Sequence, residues 1–321
     1  MLEGLVTGVR TLVADDLDIG VRAKATTGHA SSSPDAPEIT ADHPRVQEIV
    51  RLAQVYGGVL LSGPPGTSKS FFAAAAGQIM AGGDTRRYQF VQFHASYQYE
   101  DFMSGFAPTE TGFRRKEGPF LRLVKAAAAD RDSTYVLVVD ELSRADVGRV
   151  FGEALTYIER SKRELSFTIA NSEKIVIPSN FVVLATMNPF DRGVDEVDAA
   201  FERRFAKISM EPDRELLDEI LTINEMPEAL RRRVVTWFER MNGLAKSNPA
   251  AAVGHAYFSD ASDEGSLRDI WDYQLQYLVQ RAFRRDQPSR EAMEASWEHV
   301  FSSPDPVAEA RPEGTPPEPE V

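Results

Sequence analysis

The chain has 321 residues, of which 42% are hydrophobic, and its formal net charge is −13 at pH 7. This length accommodates one large or two modest domains, and the acidic balance argues against a surface that coats nucleic acid. The sequence contains no cysteine, which excludes disulfides, thiol chemistry and cysteine-bound zinc. The sequence shows no apolar run of signal-peptide or membrane-span type, so we expect a cytoplasmic protein with no membrane partner.

The N-terminal part, residues 1–41, precedes the first clear element. Residues 1–23 hold short apolar runs that fit a small helix or a strand pair, and residues 24–41 are rich in Ala, Ser, Thr and Pro, which is typical of a linker. A helix is predicted to follow, with Asp42 as its N-cap and Pro44 in its first turn.

Strand and helix patterns alternate across the next part of the chain, residues 42–212. This alternation predicts an α/β core whose parallel five-stranded sheet is covered by helices on both faces. The expected strands are residues 59–62, 88–94, 135–140, 181–187 and 206–210.

Two hairpins are predicted to interrupt the alternation. The first covers residues 104–120, where Phe106 and Phe113 lie between glycines and basic residues, and the second covers about residues 164–177. The basic clusters 114–116 and 162–163 would suit a local basic pore. The alternative is a pair of solvated surface hairpins.

Helical periodicity alone continues after Pro212, which predicts a helical lid over residues 213–301. Its aromatic residues are expected to form a core rather than a cofactor site. Residues 302–321 are rich in proline and acidic residues, which predicts a disordered tail.

A phosphate-binding loop is predicted after the first strand. Its residues are Gly63, Pro64, Pro65, Gly66, Thr67, Ser68, Lys69 and Ser70. In loops of this type the backbone N–H groups cradle phosphates, the lysine neutralises them, and the hydroxyl of the last residue holds Mg²⁺. Ser68 stands where the usual pattern has glycine, so the backbone geometry at this position is the open question.

Two carboxylates lie at the C-terminal end of the apolar strand 135–140, at the edge where ligands bind in open α/β sheets. Asp140 is a candidate Mg²⁺ ligand together with Ser70, and Glu141 is a candidate for orienting and polarising an attacking water. The alternative is an acidic turn after a core strand. The phosphate loop upstream favours the functional interpretation.

Three polar residues complete the candidate site. Asn188 follows the strand 181–187 and can bond both a water and a phosphate oxygen, although an Asn before Pro189 also suits a plain turn. Arg203 and Arg204 end a predicted short helix. They are either a solvated helix end or a pair that reaches a neighbour's γ-phosphate.

These motifs, in this order, resemble the AAA+ family of ring-forming nucleotidases over roughly residues 42–285. The resemblance implies that residues 63–70 are Walker A, that Asp140 and Glu141 are Walker B, and that Asn188 is the sensor-1 residue. It also implies that Arg203 and Arg204 are an arginine-finger pair.

Within the family, three segments are similar to the McrB branch of restriction motors: residues 90–102, residues 140–146 with 151–153, and residues 187–192 with 198–205. Residues 253–258 and 270–271 are similar to that branch's lid. The MoxR branch shares Asn188-Pro189 and the second hairpin, and the dynein-related subfamily contains both branches. The first hairpin then corresponds to the helix-2 insert and the second to the hairpin before sensor 1. The sequence departs from the family pattern at Ser68 and at Pro189, and no residue is assigned as the sensor-2 arginine.

The resemblance implies an Mg²⁺-dependent NTPase in a homo-oligomeric ring, usually a hexamer. ATP is expected because it is commoner in the family, with GTP as the alternative. The leading function is a McrB-like motor in a restriction or antiphage system, working with a separately encoded nuclease and reaching nucleic acid through the pore or that partner. Only about forty residues precede the motor, and these are too few to form the DNA-reading domain of that branch. Their small number favours the alternative of a MoxR-like chaperone that acts on a protein client. A nucleotide-dependent assembly module with little turnover is the third alternative.

Overall fold

The structure is a computed structural model that describes residues 40–109, 111–189 and 199–302. The N-terminal segment before residue 40 and the tail after residue 302 lie outside the described residues, so the predictions made for them stay predictions. Within the described ranges, no helix combines the length and hydrophobicity needed to cross a bilayer.

The described strands alternate with helices as the sequence predicts. The strands are β1 (Gly58–Ser62), β2 (Tyr88–Gln92), β3 (Ser104–Thr109), β4 (Gly112–Glu117), β5 (Tyr135–Asp140), β6 (Ser166–Thr168), β7 (Lys174–Val176), β8 (Phe181–Met187) and β9 (Ala206–Ser209). The helices are α1 (Pro44–Tyr56), α2 (Lys69–Met80), α3 (Tyr99–Phe102), α4 (Pro119–Ala129), α5 (Val147–Phe151), α6 (Ala154–Tyr157), α7 (Ala199–Glu202), α8 (Arg214–Ile223), α9 (Glu228–Ala245), α10 (Glu264–Ile270), α11 (Gln276–Ala282) and α12 (Gln287–Ser302).

Five of these strands form one parallel sheet in the order β2-β5-β8-β1-β9, which confirms the predicted fold class. The three central strands β5, β8 and β1 are buried along their whole length, as their apolar sequences predict. The edge strand β2 ends at Gln92, earlier than predicted, although Phe93 N–H still donates to the Asp140 carbonyl at 2.9 Å. In the register of β5 and β8, Val139 is opposite Ala185. The chain therefore leaves β5 and β8 at the same edge of the sheet.

The N-cap of helix α1 lies one residue later than predicted. His43 is the N-cap, since its Nδ1 accepts from the Arg45 N–H at 3.1 Å, so the prediction of Asp42 was wrong. The reason is the position of Pro44 at the start of the helix, which makes the residue before it the cap. Gly57 ends the helix with φ +77°, a conformation that suits glycine.

Both predicted hairpins are present as two-stranded antiparallel sheets, β3–β4 and β6–β7. They contact each other: Asn171 Nδ2 donates to Ser104 Oγ at 3.0 Å, and Glu173 pairs with Arg115 of β4. Lys125 of α4 also reaches Glu173, with Nζ 2.6 Å from Oε1. The two hairpins are therefore held together by side chains at their facing ends.

Arg163 corrects one expectation about the basic clusters. It is buried, and its guanidinium donates to the carbonyls of Gly57, Ile158, Pro178 and Phe181, the last at 2.5 Å. Burial lowers the pKa of Arg163 to about 10. This residue stabilises the backbone around the second hairpin and presents no charge to a pore.

The described residues divide into two compact units. The first consists of Met1–Leu60, Ser70–Thr186 and Asp195–Lys207, and among its described residues six phenylalanines form a continuous cluster: Phe93, Phe102, Phe120, Phe151, Phe181 and Phe201. The second consists of Leu61–Lys69, Met187–Val194 and Ile208–Val321, and its helices α8 to α12 pack around a separate core that contains Trp237, Phe238 and Trp297. The aromatic residues of the predicted lid are therefore core residues, as expected.

Candidate functional site

The predicted phosphate loop, residues 63–70, leads directly from β1 into α2. Thr67 is fully buried, and its Oγ1 donates to the Pro64 carbonyl at 2.9 Å. The Lys69 Nζ donates to the same carbonyl at 2.7 Å. The loop thus folds back on itself around one carbonyl group, with Lys69 directed into its interior.

Glycines are required at two points of this loop. A Cβ on Gly63 would lie 2.1 Å from the Met210 carbonyl oxygen, and Gly66 has φ +74°. A side chain at either position would force the backbone apart or strain it. The bare backbone that results suits the close approach of an anion to N–H groups, so the loop fits the phosphate group that its pattern predicts.

The 253–258 segment packs on the loop, a contact that the sequence did not predict. A Cβ on Gly254 would lie 2.0 Å from the Gly66 carbonyl oxygen, and Ala256 N–H donates to that same oxygen at 2.9 Å. The Ser68 Oγ lies 2.9 Å from Nε2 of His255. The sequence carried one usable signal, a glycine followed by a histidine in a region resembling the McrB lid.

The predicted Mg²⁺ ligands are in direct contact. Ser70 Oγ donates to Asp140 Oδ1 at 2.5 Å, and Asp140 is buried. A serine hydroxyl and a carboxylate are hard oxygen donors of the kind that Mg²⁺ prefers, and Mg²⁺ in nucleotide sites takes its other ligands from phosphate and water. The donor set therefore fits a magnesium ion.

Thr186 is a site residue that the sequence analysis did not identify. Its Oγ1 donates to Asp140 Oδ1 at 2.6 Å and accepts from the Glu141 N–H at 3.1 Å. One hydroxyl therefore positions both acidic residues. The signal was available, because Thr186 is the only side chain with a hydroxyl in the apolar strand β8.

Glu141 has a left-handed backbone conformation, with φ +54°. Such a conformation is uncommon for a residue with a side chain and is found at functional sites. Its Oε2 accepts from Arg144 Nε at 2.9 Å, and the carboxylate is partly exposed. The turn therefore directs Glu141 away from the buried Asp140, which leaves the two carboxylates in different environments.

The remaining predicted residues lie at the ends of β8 and α7. Asn188 is buried directly after β8. Arg203 is exposed, whereas the Arg204 side chain is only 7% exposed and its Nε lies 3.8 Å from Glu159 Oε2. Phe201, fully buried one turn before them, contacts Phe151. The structure thus distinguishes two arginines that the sequence could not separate.

Residues 58–205 match the family model described as AAA domain (dynein-related subfamily). This part of the chain is an AAA domain of the dynein-related subfamily. The predicted resemblance is confirmed, and the AAA domain contains both the phosphate loop and the strand end that carries Asp140 and Glu141.

Two relatives of the chain are components of restriction enzymes. The chain is 31% identical over 241 residues to the type IV methyl-directed restriction enzyme EcoKMcrB subunit of Escherichia coli (strain K12), a match that covers 70% of this chain and 52% of that protein. It is 27% identical over 203 residues to the type II restriction enzyme BsuMI component YdiS of Bacillus subtilis (strain 168), covering 50% of this chain and 59% of that protein. The chain is a McrB-like AAA+ protein that spans about half the length of these relatives.

A crystal structure of a candidate ATPase from Cytophaga hutchinsonii aligns with a TM-score of 0.38 and 17% identity, over 79% of this chain and 91% of that chain. The AAA+ assignment depends on the family model and the restriction-enzyme relatives, which match at the level of sequence.

Proposed function

We propose that this chain is the nucleotide-hydrolysing motor subunit of a multicomponent restriction or antiphage system. The observation that carries the proposal is the Ser70–Asp140 contact, found in a chain that matches a McrB restriction subunit over 70% of its length. Both curated relatives are named as a subunit or a component of a restriction enzyme. A motor that works with separately encoded partners is therefore the function best supported.

The chain's own residues divide the work of binding. The N–H groups of residues 63–70 and the Lys69 ammonium bind the phosphates, and Lys69 must exchange its bond to the Pro64 carbonyl for one to the nucleotide. Ser70 and Asp140 would hold Mg²⁺, which would supply positive charge to neutralise the phosphates. ATP is the expected nucleotide, with GTP as the alternative.

The residues after β5 and β8 act on the attacking water. Glu141 orients and polarises it, and Asn188 holds it by a second hydrogen bond. Arg203 or Arg204 of a neighbouring subunit stabilises the charge that develops on the transferred group. A site completed by a neighbour makes hydrolysis depend on a ring, for which we expect the hexamer usual in AAA+ proteins.

A MoxR-like chaperone that remodels a protein is the second candidate. The net charge of −13 favours it, because a strongly acidic protein is repelled by nucleic acid. The two functions predict different stimulants of hydrolysis. DNA should raise turnover by a restriction motor, whereas only a protein client should do so for a chaperone.

The proposal is tested by the hydrolysis of ATP and GTP with Mg²⁺ by the parent protein and by Glu141→Gln. We expect Glu141→Gln to bind nucleotide but to turn over at least about 10²-fold more slowly, the scale of a lost general base. Glu219→Gln, a matched change at an exposed glutamate of α8, should leave turnover unchanged.

Three results would count against parts of the proposal. Equal turnover by Glu141→Gln and the parent would remove Glu141 from the mechanism. Binding without turnover by the parent would favour a nucleotide-dependent assembly module. Stimulation by a protein but not by DNA would favour the chaperone.

A further inference from the structure

Ser68 adopts a backbone conformation that normally belongs to glycine. Its φ is +57°, in the left-handed region. A residue with a Cβ is strained there, because the Cβ comes too close to the following carbonyl oxygen. In the usual loop pattern this position is glycine and carries no such strain. Ser68 therefore needs a compensating contact if the loop is to keep its shape.

His255 supplies that contact, and its own surroundings fix which ring nitrogen carries the proton. The ring is 1% exposed, and its Nδ1 accepts from the Asp213 N–H at 3.3 Å. A backbone amide can only donate, so Nδ1 is unprotonated and the neutral ring carries its proton on Nε2. His255 is therefore the donor and Ser68 Oγ the acceptor.

The histidine is held firmly on the loop by its neighbours in the chain. Gly254 lies against Gly66, since a Cβ on it would be 2.0 Å from the Gly66 carbonyl oxygen, and Ala256 N–H donates to that oxygen. On the other side of the ring, Asp213 caps α8 by accepting from Glu215 N–H at 2.9 Å. These contacts leave His255 little freedom to move away from Ser68.

We propose that His255 is a positioning residue for nucleotide binding, which holds Ser68, and with it the N–H groups of the phosphate loop, in the left-handed conformation. This inference rests on the proposed function, since it assigns a role within the nucleotide site. The roles of Ser68 and His255 depend on each other. The loop requires support from the histidine only when residue 68 has a side chain that is strained at this backbone conformation.

The unit is tested by a double-mutant cycle in which the dissociation constants of ATP and GTP, each with Mg²⁺, are measured by calorimetry. In the parent background, His255→Leu should weaken binding about tenfold, which corresponds to roughly 1.4 kcal/mol. In the Ser68→Gly background the same change should alter binding less than about twofold, because glycine needs no support at φ +57°.

His255→Gln is the conservative variant, because its amide can both accept from Asp213 and donate to Ser68. It should restore most of the affinity lost in His255→Leu. It also keeps the test decisive if the leucine variant folds poorly, which circular dichroism melting of each variant would reveal.

The outcomes separate the two claims. If His255→Leu and His255→Gln weaken binding equally in both backgrounds, or in neither, the positioning role is wrong and His255 is a structural residue only. If the parent itself binds neither ATP nor GTP, the proposed function fails, and this inference fails with it.

Discussion

At the scale of single residues, the acidic site depends on a hydroxyl that carries no charge. Thr186 donates to Asp140 and accepts from the Glu141 amide, so it fixes the carboxylate proposed to bind Mg²⁺ and the turn that holds the carboxylate proposed to activate water. Hydrogen bonds to charged groups contribute about 1.5–3 kcal/mol each. Loss of this hydroxyl should therefore lower both the rate of hydrolysis and the affinity for the metal.

Thr186→Val removes both bonds and keeps the shape of the side chain. We expect turnover to fall roughly tenfold or more, with the Mg²⁺ concentration for half-maximal activity rising in parallel, as measured by steady-state hydrolysis. Thr186→Ser keeps the hydroxyl and should stay near the parent rate. A valine variant as active as the parent would show that β5 alone positions Asp140 and Glu141.

Arg203 and Arg204 differ in what they can reach. Arg204 is buried beside Glu159, whereas Arg203 is exposed at the end of a helix anchored by Phe201. We therefore predict that Arg203 is the finger. Arg203→Ala should lose on the order of 10³-fold in turnover while keeping nucleotide affinity. Mixing it with inactive Lys69→Ala chains should restore part of the activity, since one intact interface then forms.

Arg204→Ala should instead lower the melting temperature, because it removes a side chain packed within the first compact unit. Recovery of turnover on mixing Arg204→Ala with Lys69→Ala, but not on mixing Arg203→Ala, would reverse the assignment. No recovery by either variant, in mixed assemblies of confirmed composition, would argue against a finger supplied in trans.

At the scale of elements, the two hairpins act as a pair. Glu173 of the second hairpin lies between Arg115 and Lys125, and hydrogen bonds from these two cations lower the pKa of its carboxyl. The first hairpin still presents Phe106 and Phe113, which are 73% and 78% exposed. Exposed aromatic rings beside arginine suit contact with nucleic-acid bases or with an unfolded protein segment.

A variant with Phe106, Phe113 and Arg114 replaced by alanine tests whether the first hairpin binds a client. Arg115 is left in place because it is already bound to Glu173. We expect basal hydrolysis to remain and stimulation by DNA or by a protein client to disappear. Arg240→Ala, at an exposed arginine of α9, is the matched control for charge. Survival of stimulation would mean a solvated hairpin with no client role, whereas collapse of basal turnover would place the hairpin in the active site.

The elements themselves could be read from the sequence because their signals are local. Apolar runs marked β5 and β8 to the residue, and glycines bounded the first hairpin. The contacts of Arg163 and His255 could not be read in this way. Ser68 and His255 are 187 positions apart, and nothing in a Lys-Arg pair reveals that the arginine will meet four carbonyls inside the fold.

At the scale of the whole molecule, stability should respond to the protonation of His255. Burial lowers the folded-state pKa of His255 from an ordinary value of 6.5 to about 4, and the negative charge of Asp213 offsets only part of this decrease. The unfolded chain therefore binds the proton more readily between these values. This contribution is complete above about pH 6.5 and is lost as the pH falls towards 4.

The full effect of that shift is about 3 kcal/mol of unfolding free energy. Because many carboxylates titrate in the same range, the measurement is the difference between parent and His255→Gln in denaturant unfolding followed by circular dichroism. We expect the advantage of the parent to shrink steadily from pH 7 to pH 4. A difference that is constant with pH would mean that the histidine keeps an ordinary pKa in the folded protein.

The aromatic core of the C-terminal helices has a spectroscopic consequence. The chain has three tryptophans, and all of them lie there, with Trp271 stacked on Trp297 at 5.1 Å and Trp237 edge-on to Trp297 at 4.6 Å. Light absorbed selectively by tryptophan is therefore emitted from the second compact unit alone. The unlabelled protein thus carries an intrinsic fluorophore for that unit, and a rapid-mixing experiment with nucleotide would time its response without any introduced dye.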